Sequence, residues 1–144
     1  PSVYELHGNI ELHERQRMKV TEHFTMSEFM CKDGTDVPSR YQGNVAALCL
    51  SLEYLRGLLA SPVIIISGYR SKDYNTKCGG AVKSQHLTAS AADIRVPGYT
   101  PDDVSQALEG LISSGKIPQG GIGVYPSQNF VHYDVRLERA RWDG

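Results

Sequence analysis

Two stretches of the chain carry the apolar spacing of a helix with one buried face. The first runs from residue 44 to residue 59, with apolar side chains at Val45, Leu48, Leu52, Leu55 and Leu59. Recurrence at intervals of three and four predicts the main helix there. A second helix is predicted from Thr100 to about Ser113, because a capping hydroxyl is followed by Pro101 and by acidic residues in the first turn.

Strands are predicted where the period changes to two or where a short apolar run appears. Residues 63–66 are apolar and rich in isoleucine, which favours a central strand covered on both faces. Residues 91–96 alternate between apolar and polar, and residues 121–125 and 130–136 flank a Pro-Ser-Gln-Asn turn as a hairpin. Helices and strands do not alternate strictly, so we predict an α+β domain with a mostly antiparallel sheet and helices on one face.

The remaining segments are predicted from local signals. Residues 1–19 are polar and weakly patterned, so we interpret them as an N-terminal extension, with a short strand near residues 10–12, ahead of a single domain at 20–144. Thr25 and Glu28 have the spacing of a capping box, which predicts a short helix with Phe24 and Phe29 packed across its start. Residues 71–90 show no apolar period and predict a long exposed loop.

Composition narrows the range of functions. Of the 144 residues, 40% are hydrophobic and 22% are charged, the formal net charge is −1, and the chain has no run of Lys or Arg, so we expect no nucleic-acid partner. The apolar runs are only a few residues long, far short of the roughly 20 residues of a spanning helix, so no membrane span is predicted. Cysteines 31, 49 and 78 lack CxxC spacing, which argues against a disulfide framework or a thiolate zinc site.

We expect the protein to be a monomer. The chain does not start like a signal peptide, but a mature form would have lost one, so export stays open.

Polar side chains that would share one face of the sheet form the candidate chemical site. Asp93 lies on one predicted strand, while His132 and Asp134 lie on another, and His86 comes from the loop just before Asp93. Two imidazoles and one carboxylate are a ligand set that catalytic zinc sites use, with the fourth position left for water. Taken alone, His132 could be a strand histidine held by hydrogen bonds, and Asp134 could be the ion-pair partner of an arginine. Both of these interpretations stay open.

Five motifs in order resemble the zinc D-alanyl-D-alanine carboxypeptidases and murein endopeptidases of peptidase family M15, whose fold the hedgehog domain shares. They are Ser-Gly-Tyr-Arg at 67–70, Ser-Gln-His-Leu at 84–87, Ala-Ala-Asp-Ile at 91–94, Gly-Gly-Ile-Gly-Val-Tyr at 120–125 and Phe-Val-His-Tyr-Asp-Val-Arg at 130–136. The resemblance covers roughly residues 22–142. It implies one Zn²⁺ bound by His86, Asp93 and His132, and hydrolysis of peptide bonds in bacterial peptidoglycan.

The resemblance suggests roles for Arg70 and Ser84, and the strand pattern together with the chemistry of hydrolysis suggests roles for Tyr125 and Asp134. Arg70 matches an arginine with which the family engages substrate, which would here be a terminal carboxylate of the stem peptide; a scaffold salt bridge is the alternative. Ser84 would bond substrate or order the metal ligands. Tyr125 could stabilise a developing oxyanion or simply pack. Many relatives have an acidic residue where this chain has Asn129, so Asp134 becomes the first candidate for the general base, or else it orients a ligand.

Three functional hypotheses follow. The first is a zinc carboxypeptidase or endopeptidase acting at the cell wall, made by a bacterium for wall remodelling or by a phage as an endolysin or entry enzyme. The second is a wall-binding or structural module that keeps zinc without turnover, which Asn129 favours. The third is a zinc-free ligand-binding domain, which predicts no metal after dialysis. The sequence leaves open which D,D or L,D bond would be cut.

Overall fold

The computed structural model describes residues 18–144, and the strand predicted near residues 10–12 lies outside them. These residues form three α-helices: α1 (Gln42–Leu59), α2 (Lys72–Lys77) and α3 (Pro101–Ser113). They also form seven strands: β1 (Lys19–Thr21), β2 (Phe24–Thr25), β3 (Ile64–Ser67), β4 (Ala91–Arg95), β5 (Gly121–Tyr125), β6 (Phe130–Asp134) and β7 (Ala140–Asp143). The α+β class predicted from the sequence is confirmed.

The main sheet has five strands in the order β3-β4-β6-β5-β7, and a separate ribbon pairs β1 with β2. Strands β3, β4, β6 and β5 are joined by three antiparallel pairings. Within this sheet, β5 and β7 pair in parallel. The alternate residues Ala92, Ile94, Val131, Tyr133 and Ile122 point into one core together with the apolar stripes of α1 and α3. One face of the sheet is therefore packed against helices, and the opposite face is available for polar groups.

The helix starts follow the predicted capping chemistry. The Thr100 hydroxyl accepts a hydrogen bond from the Asp103 N–H, and the Asp103 carboxylate accepts one from the Thr100 N–H. At the earlier capping box, the Glu28 carboxylate accepts from the Thr25 N–H at 2.8 Å, although the element that follows is a single 3₁₀ turn, Met26–Phe29. Phe24 and Phe29 meet edge to face, with ring centroids 6.3 Å apart, so the two rings pack across the start of this turn as predicted.

Two predictions about local structure are wrong. Residues 63–66 do not form a central strand, because β3 lies at the edge of the sheet and Ile64 is 48% exposed. A β-branched apolar run predicts only that a strand forms. The place of that strand in the sheet depends on pairing with segments far away in the chain. Residues 71–90 are not one loop, because α2 and a 3₁₀ helix, Gln85–Thr88, lie within them. Both helices are too short to show an apolar period.

The hairpin of β5 and β6 has the predicted first strand, but its second strand ends at Asp134 rather than at residue 136.

No helix among residues 18–144 is long and apolar enough to cross a lipid bilayer. Cys49, which lies in α1, is fully buried, and burial raises the pKa of its thiol to about 12, so it stays a neutral core residue.

Candidate metal centre

A row of paired residues crosses the sheet on the face away from the helices. Asp93 on β4 pairs with His132 on β6, His132 pairs with Gly123 on β5, and Gly123 pairs with Trp142 on β7. Residues directly opposite each other in neighbouring strands project to the same face. The register therefore brings the Asp93 carboxylate, the His132 imidazole and the Trp142 indole side by side.

His86 reaches this row from the 3₁₀ helix that precedes β4. The Ser84 hydroxyl caps that helix by accepting a hydrogen bond from the His86 N–H at 3.2 Å. The His86 carbonyl accepts from the Arg70 N–H at 2.9 Å, which fixes the short helix to the end of β3. Ser84 thus orders the backbone of His86, and its predicted role toward substrate or the metal ligands stays a prediction.

The structure brings His86, Asp93 and His132 together. Asp93 Oδ1 lies 3.2 Å from His86 Nε2 and 3.1 Å from His132 Nδ1, and one ligand atom from each of the three residues falls within 4.8 Å of the others. The three residues are 2%, 5% and 7% exposed in chain order. Burial of a carboxylate among two imidazoles costs several kcal/mol unless these groups pair or bind a cation. The group can hold a metal ion.

The second nitrogen of each imidazole is fixed by an acceptor behind it. His86 Nδ1 lies 2.7 Å from the Gly68 carbonyl oxygen, and His132 Nε2 lies 2.7 Å from Asp134 Oδ2. Each acceptor can take the proton of the outer nitrogen, so that the inner nitrogen would offer its lone pair to a metal ion; without the ion, the inner nitrogens lie within hydrogen-bond distance of Asp93 Oδ1. Histidines that bind metals are typically oriented by a carbonyl or carboxylate in this way.

Asp134 is completely buried behind His132. Its Oδ1 accepts from the N–H groups of Gly121 and Arg136 and from Arg136 Nε at 2.8 Å, while its Oδ2 accepts from Arg136 Nη2 at 2.7 Å. A side chain on Gly121 would collide with this carboxylate, so the glycine makes the space for it. Asp134 thus contacts both Arg136 and His132, and its predicted roles, as an arginine partner, as a group that orients His132 or as the general base, stay predictions.

The hydrogen bonds in this cluster determine its ionisation. Burial alone would raise the pKa of the Asp93 carboxyl, but hydrogen bonds from His132 and His86 outweigh it and hold that pKa well below its usual range. The pKa of Asp134 is low for the same reason, with His132 and Arg136 as the donors. Burial would lower the pKa of His132, yet its bonds to Asp134 and Asp93 raise that pKa. Both carboxylates are therefore ionised at neutral pH.

The three residues lie in the wall of a cavity of about 460 Å³. The cavity is also lined by side chains predicted to act on substrate: Arg70, Ser84 and Tyr125. The Arg70 guanidinium donates to Asp93 Oδ2 from Nη2 at 3.3 Å, to Asn75 Oδ1 from Nη1 at 3.4 Å and to Ser67 Oγ from Nε at 3.3 Å. Arg70 thus forms a salt bridge with Asp93 and also lines the cavity.

Trp142 is a residue of the site that the sequence analysis missed. Its ring lies 4.9 Å from the His132 ring, and its Nε1 donates to the Tyr125 hydroxyl oxygen at 2.8 Å. A side chain on Gly123 would strike the indole, so the third glycine of the Gly-Gly-Ile-Gly-Val-Tyr motif creates the space that Trp142 fills. The only sequence signal was that Trp142 is the single tryptophan of the chain.

Asn129 has a local structural role. It ends the turn between β5 and β6 with φ at +56°, a conformation that asparagine adopts more readily than most residues. Its carbonyl accepts from Arg95 Nε at 2.6 Å, and its side chain is exposed and does not line the cavity. Within residues 18–144, the only carboxylate that lines the cavity is that of Asp93.

Comparison with known proteins decides the family. The family model described as Peptidase M15 matches residues 22–134, which include all the candidate site residues named above except Trp142 and Arg136. The chain belongs to the peptidase M15 family. Its resemblance to this family, derived from the motifs, is confirmed.

Two relatives of the chain carry names that describe an activity. The chain is 38% identical over 88 residues to the peptidoglycan L,D-endopeptidase MepK of Escherichia coli strain K12, covering 56% of this chain and 45% of that protein. It is 33% identical over 93 residues to the probable peptidoglycan L,D-endopeptidase MepK of Haemophilus influenzae, covering 61% of this chain and 46% of that protein. The match thus spans less than half the length of each relative.

Proposed function

We propose that this M15 domain hydrolyses peptide bonds in bacterial peptidoglycan with one bound zinc ion. The observation that carries the proposal is the convergence of His86 Nε2, Asp93 Oδ1 and His132 Nδ1 in the cavity wall. Two imidazoles and one carboxylate fit the three-ligand set of catalytic zinc sites, and the adjoining cavity leaves room for substrate. When bound, zinc supplies a Lewis acid that polarises a carbonyl and lowers the pKa of a coordinated water.

The surrounding side chains would orient the ligands and bind the substrate. Asp134 is buried behind His132 and engaged by four donor groups besides it, so we assign it to orienting the imidazole rather than to proton transfer. Arg70 would bind a substrate carboxylate, since its guanidinium is on the cavity wall. The Tyr125 hydroxyl accepts from Trp142, which leaves its own O–H free to donate to a developing oxyanion.

We further infer that the scissile bond is an L,D bond. The two named relatives support this choice, because both are described as peptidoglycan L,D-endopeptidases and share one third or more of the aligned residues. A D,D bond is the alternative. The masses of the peptides released from the wall distinguish the two, since each bond yields fragments with a different set of terminal residues.

The test is digestion of purified peptidoglycan by the zinc-loaded protein, followed by mass spectrometry of the products. We expect peptide release that a chelator abolishes, and we expect no release by His132→Ala. The matched control is His23→Ala, because His23 lies at the surface beside Glu53, at 2.6 Å, and is not among the cavity-lining residues. Release that persists in His132→Ala would contradict the proposal.

A second candidate function is a wall-binding module that keeps the metal without turnover. The observation that favours it is that Asp93, itself a proposed metal ligand, is the only carboxylate lining the cavity within residues 18–144. A hydrolase needs a group that takes up the proton of the attacking water. Stoichiometric zinc and co-sedimentation with peptidoglycan, without release of peptides from walls of any type, would support the module over the enzyme.

A further inference from the structure

The cavity beside the candidate metal centre is dominated by positive charge. Arg70, Lys83 and Arg136 all line it, whereas Asp93 is the only carboxylate there within the described residues. That carboxylate is already engaged by both imidazoles and by Arg70. A concave site with one sign of charge attracts ligands of the opposite sign. The cavity therefore favours anionic peptides.

Arg136 is held rigidly on one side of this cavity. Its Nε and Nη2 form a forked pair with the two oxygens of the buried Asp134, and its guanidinium lies 5.5 Å from the centre of the Trp142 ring. Within residues 18–144, no hydrogen bond involves the remaining nitrogen, Nη1. A guanidinium that is fixed in advance loses little conformational freedom when it binds an anion.

Lys83 lies in residues 78–84, a stretch that contributes several neighbours to the cavity lining. The stretch is anchored by Asn75, whose Nδ2 donates to the Ala81 carbonyl at 2.9 Å and whose own carbonyl accepts from the Gly80 N–H at 2.9 Å. Lys83 is exposed, and it forms no ion pair with any residue from 18 to 144. Its ammonium group is thus available to a ligand in the cavity that Lys83 lines.

We propose that Lys83 and Arg136 form an anion-binding subsite, distinct from the Arg70 position, that selects peptides with free carboxylates over peptides with amidated ones. The inference rests on the proposed function and adds a substrate class to it. Peptides of the wall carry carboxylates close to their cross-links, and conversion of a carboxylate to an amide removes the charge while keeping nearly the same shape. Discrimination between the two forms then depends on cationic side chains.

Calorimetry with a matched ligand pair tests the subsite without requiring turnover. The probes are the dipeptide γ-D-glutamyl-lysine, which contains no L,D bond, and the same dipeptide with only its glutamyl α-carboxylate converted to a carboxamide. The terminal carboxylate, which Arg70 would engage, is free in both. We expect the zinc-loaded wild type to bind the free form about tenfold more tightly. Lys83→Met should reduce that ratio roughly two- to fivefold, since an exposed ion pair contributes modestly. The control Lys116→Met, whose lysine lies over the Tyr54 ring, should leave the ratio unchanged.

A pair of substitutions separates the charge of Arg136 from its contact with Asp134. Arg136→Lys and Arg136→Met both remove the forked pair, but only the lysine retains the positive charge. We expect Arg136→Lys to keep most of the preference for the free carboxylate and Arg136→Met to lose roughly two- to fivefold of it. Zinc content is measured for both variants, so that a loss of metal is recognised separately.

Equal binding of the two peptides by wild type would overturn the subsite, and so would equal losses for both peptides in Lys83→Met. The proposed function fails by a different observation, which is the absence of peptide release from walls by the zinc-loaded protein. A protein that cleaves walls but does not distinguish the two peptides would keep the function and refute the subsite.

Discussion

Single residues behind the candidate ligands decide whether the two imidazoles are ready to bind a metal ion. Asp134 is the clearest case, because it accepts from His132 Nε2 at 2.7 Å while being completely buried. Asp134→Asn keeps the shape and removes the charge. We expect zinc affinity to fall roughly 10- to 100-fold, measured by competition with a chromophoric chelator. Unchanged affinity would show that the carboxylate does not orient the ligand.

The control for this substitution is Asp143→Asn. Asp143 is an exposed carboxylate on β7, paired in register with Val124, and it does not contact the imidazoles through any hydrogen bond in the described structure. Both changes remove one negative charge from the same sheet. A long-range effect of net charge would therefore appear in both variants, whereas an effect through His132 would appear in Asp134→Asn alone.

Trp142 and Tyr125 are expected to act as one unit. Because Trp142 Nε1 donates to the Tyr125 hydroxyl, it turns that hydroxyl so that its hydrogen points elsewhere. If Tyr125 stabilises the oxyanion, Tyr125→Phe should lower kcat roughly 100-fold. Trp142→Phe, which loses the N–H and keeps an aromatic ring, should lower kcat about tenfold, with a smaller effect on KM.

The double variant checks this coupling. In the Tyr125→Phe background, Trp142→Phe should have almost no further effect on kcat, since the hydroxyl that it positions is gone. Independent losses that multiply would mean that Trp142 acts by packing against His132, where the rings lie 4.9 Å apart, rather than through Tyr125.

At the scale of the elements, β5 shows how a strand is shaped by the side chains that cross it. Gly123 leaves room for the Trp142 indole, and any side chain there would meet the ring. Gly123→Ala should lower the free energy of unfolding by about 1–3 kcal/mol, as overpacking does, and should displace Trp142. Urea unfolding measures the first effect, and the fluorescence of the single tryptophan reports the second.

The matched control lies in α3. Gly110 sits in the helix interior with open space where a side chain would go. Gly110→Ala should raise the free energy of unfolding by about 0.5–1 kcal/mol, because alanine favours the helix more than glycine does. If both variants were equally destabilised, the packing explanation for Gly123 would be refuted.

The elements also show how far the sequence could predict this fold. Helices α1 and α3 were predictable, because they are long enough for an apolar period and α3 has a cap that the chain itself specifies. The edge position of β3 was not, because strand order depends on pairing between residues far apart in the chain. Strand β7 was missed for the same reason, since four residues that pair in parallel with β5 carry no local pattern.

The candidate site was more predictable than its surroundings. His86, Asp93 and His132 were recognised from their spacing and from strand alternation, and the register of β4 and β6 places two of them opposite each other. Trp142 could not be added from local pattern, because its place beside His132 depends on β7. Asn129 could not be interpreted either, because its left-handed backbone becomes visible only in the structure.

At the scale of the whole molecule, the proposed metal should stabilise the fold that holds it. The three candidate ligands come from β4, β6 and the 3₁₀ helix before β4, so the centre exists only when these parts are assembled. A ligand that binds the native state alone stabilises it by about 2.7 kcal/mol at a free concentration 100 times its Kd. For a domain of this size, that corresponds to a rise in Tm of roughly 5–10 °C.

Differential scanning calorimetry across a series of free zinc concentrations measures this stabilisation. We expect Tm to rise with the logarithm of free zinc and to fall on addition of a chelator, and we expect both responses to disappear in His86→Ala. Lys116→Met should retain them, since its lysine contacts Tyr54 on another part of the surface. A Tm independent of zinc in the wild type would mean that the native state does not bind the ion, and the zinc-free ligand-binding domain would then be the better account of this fold.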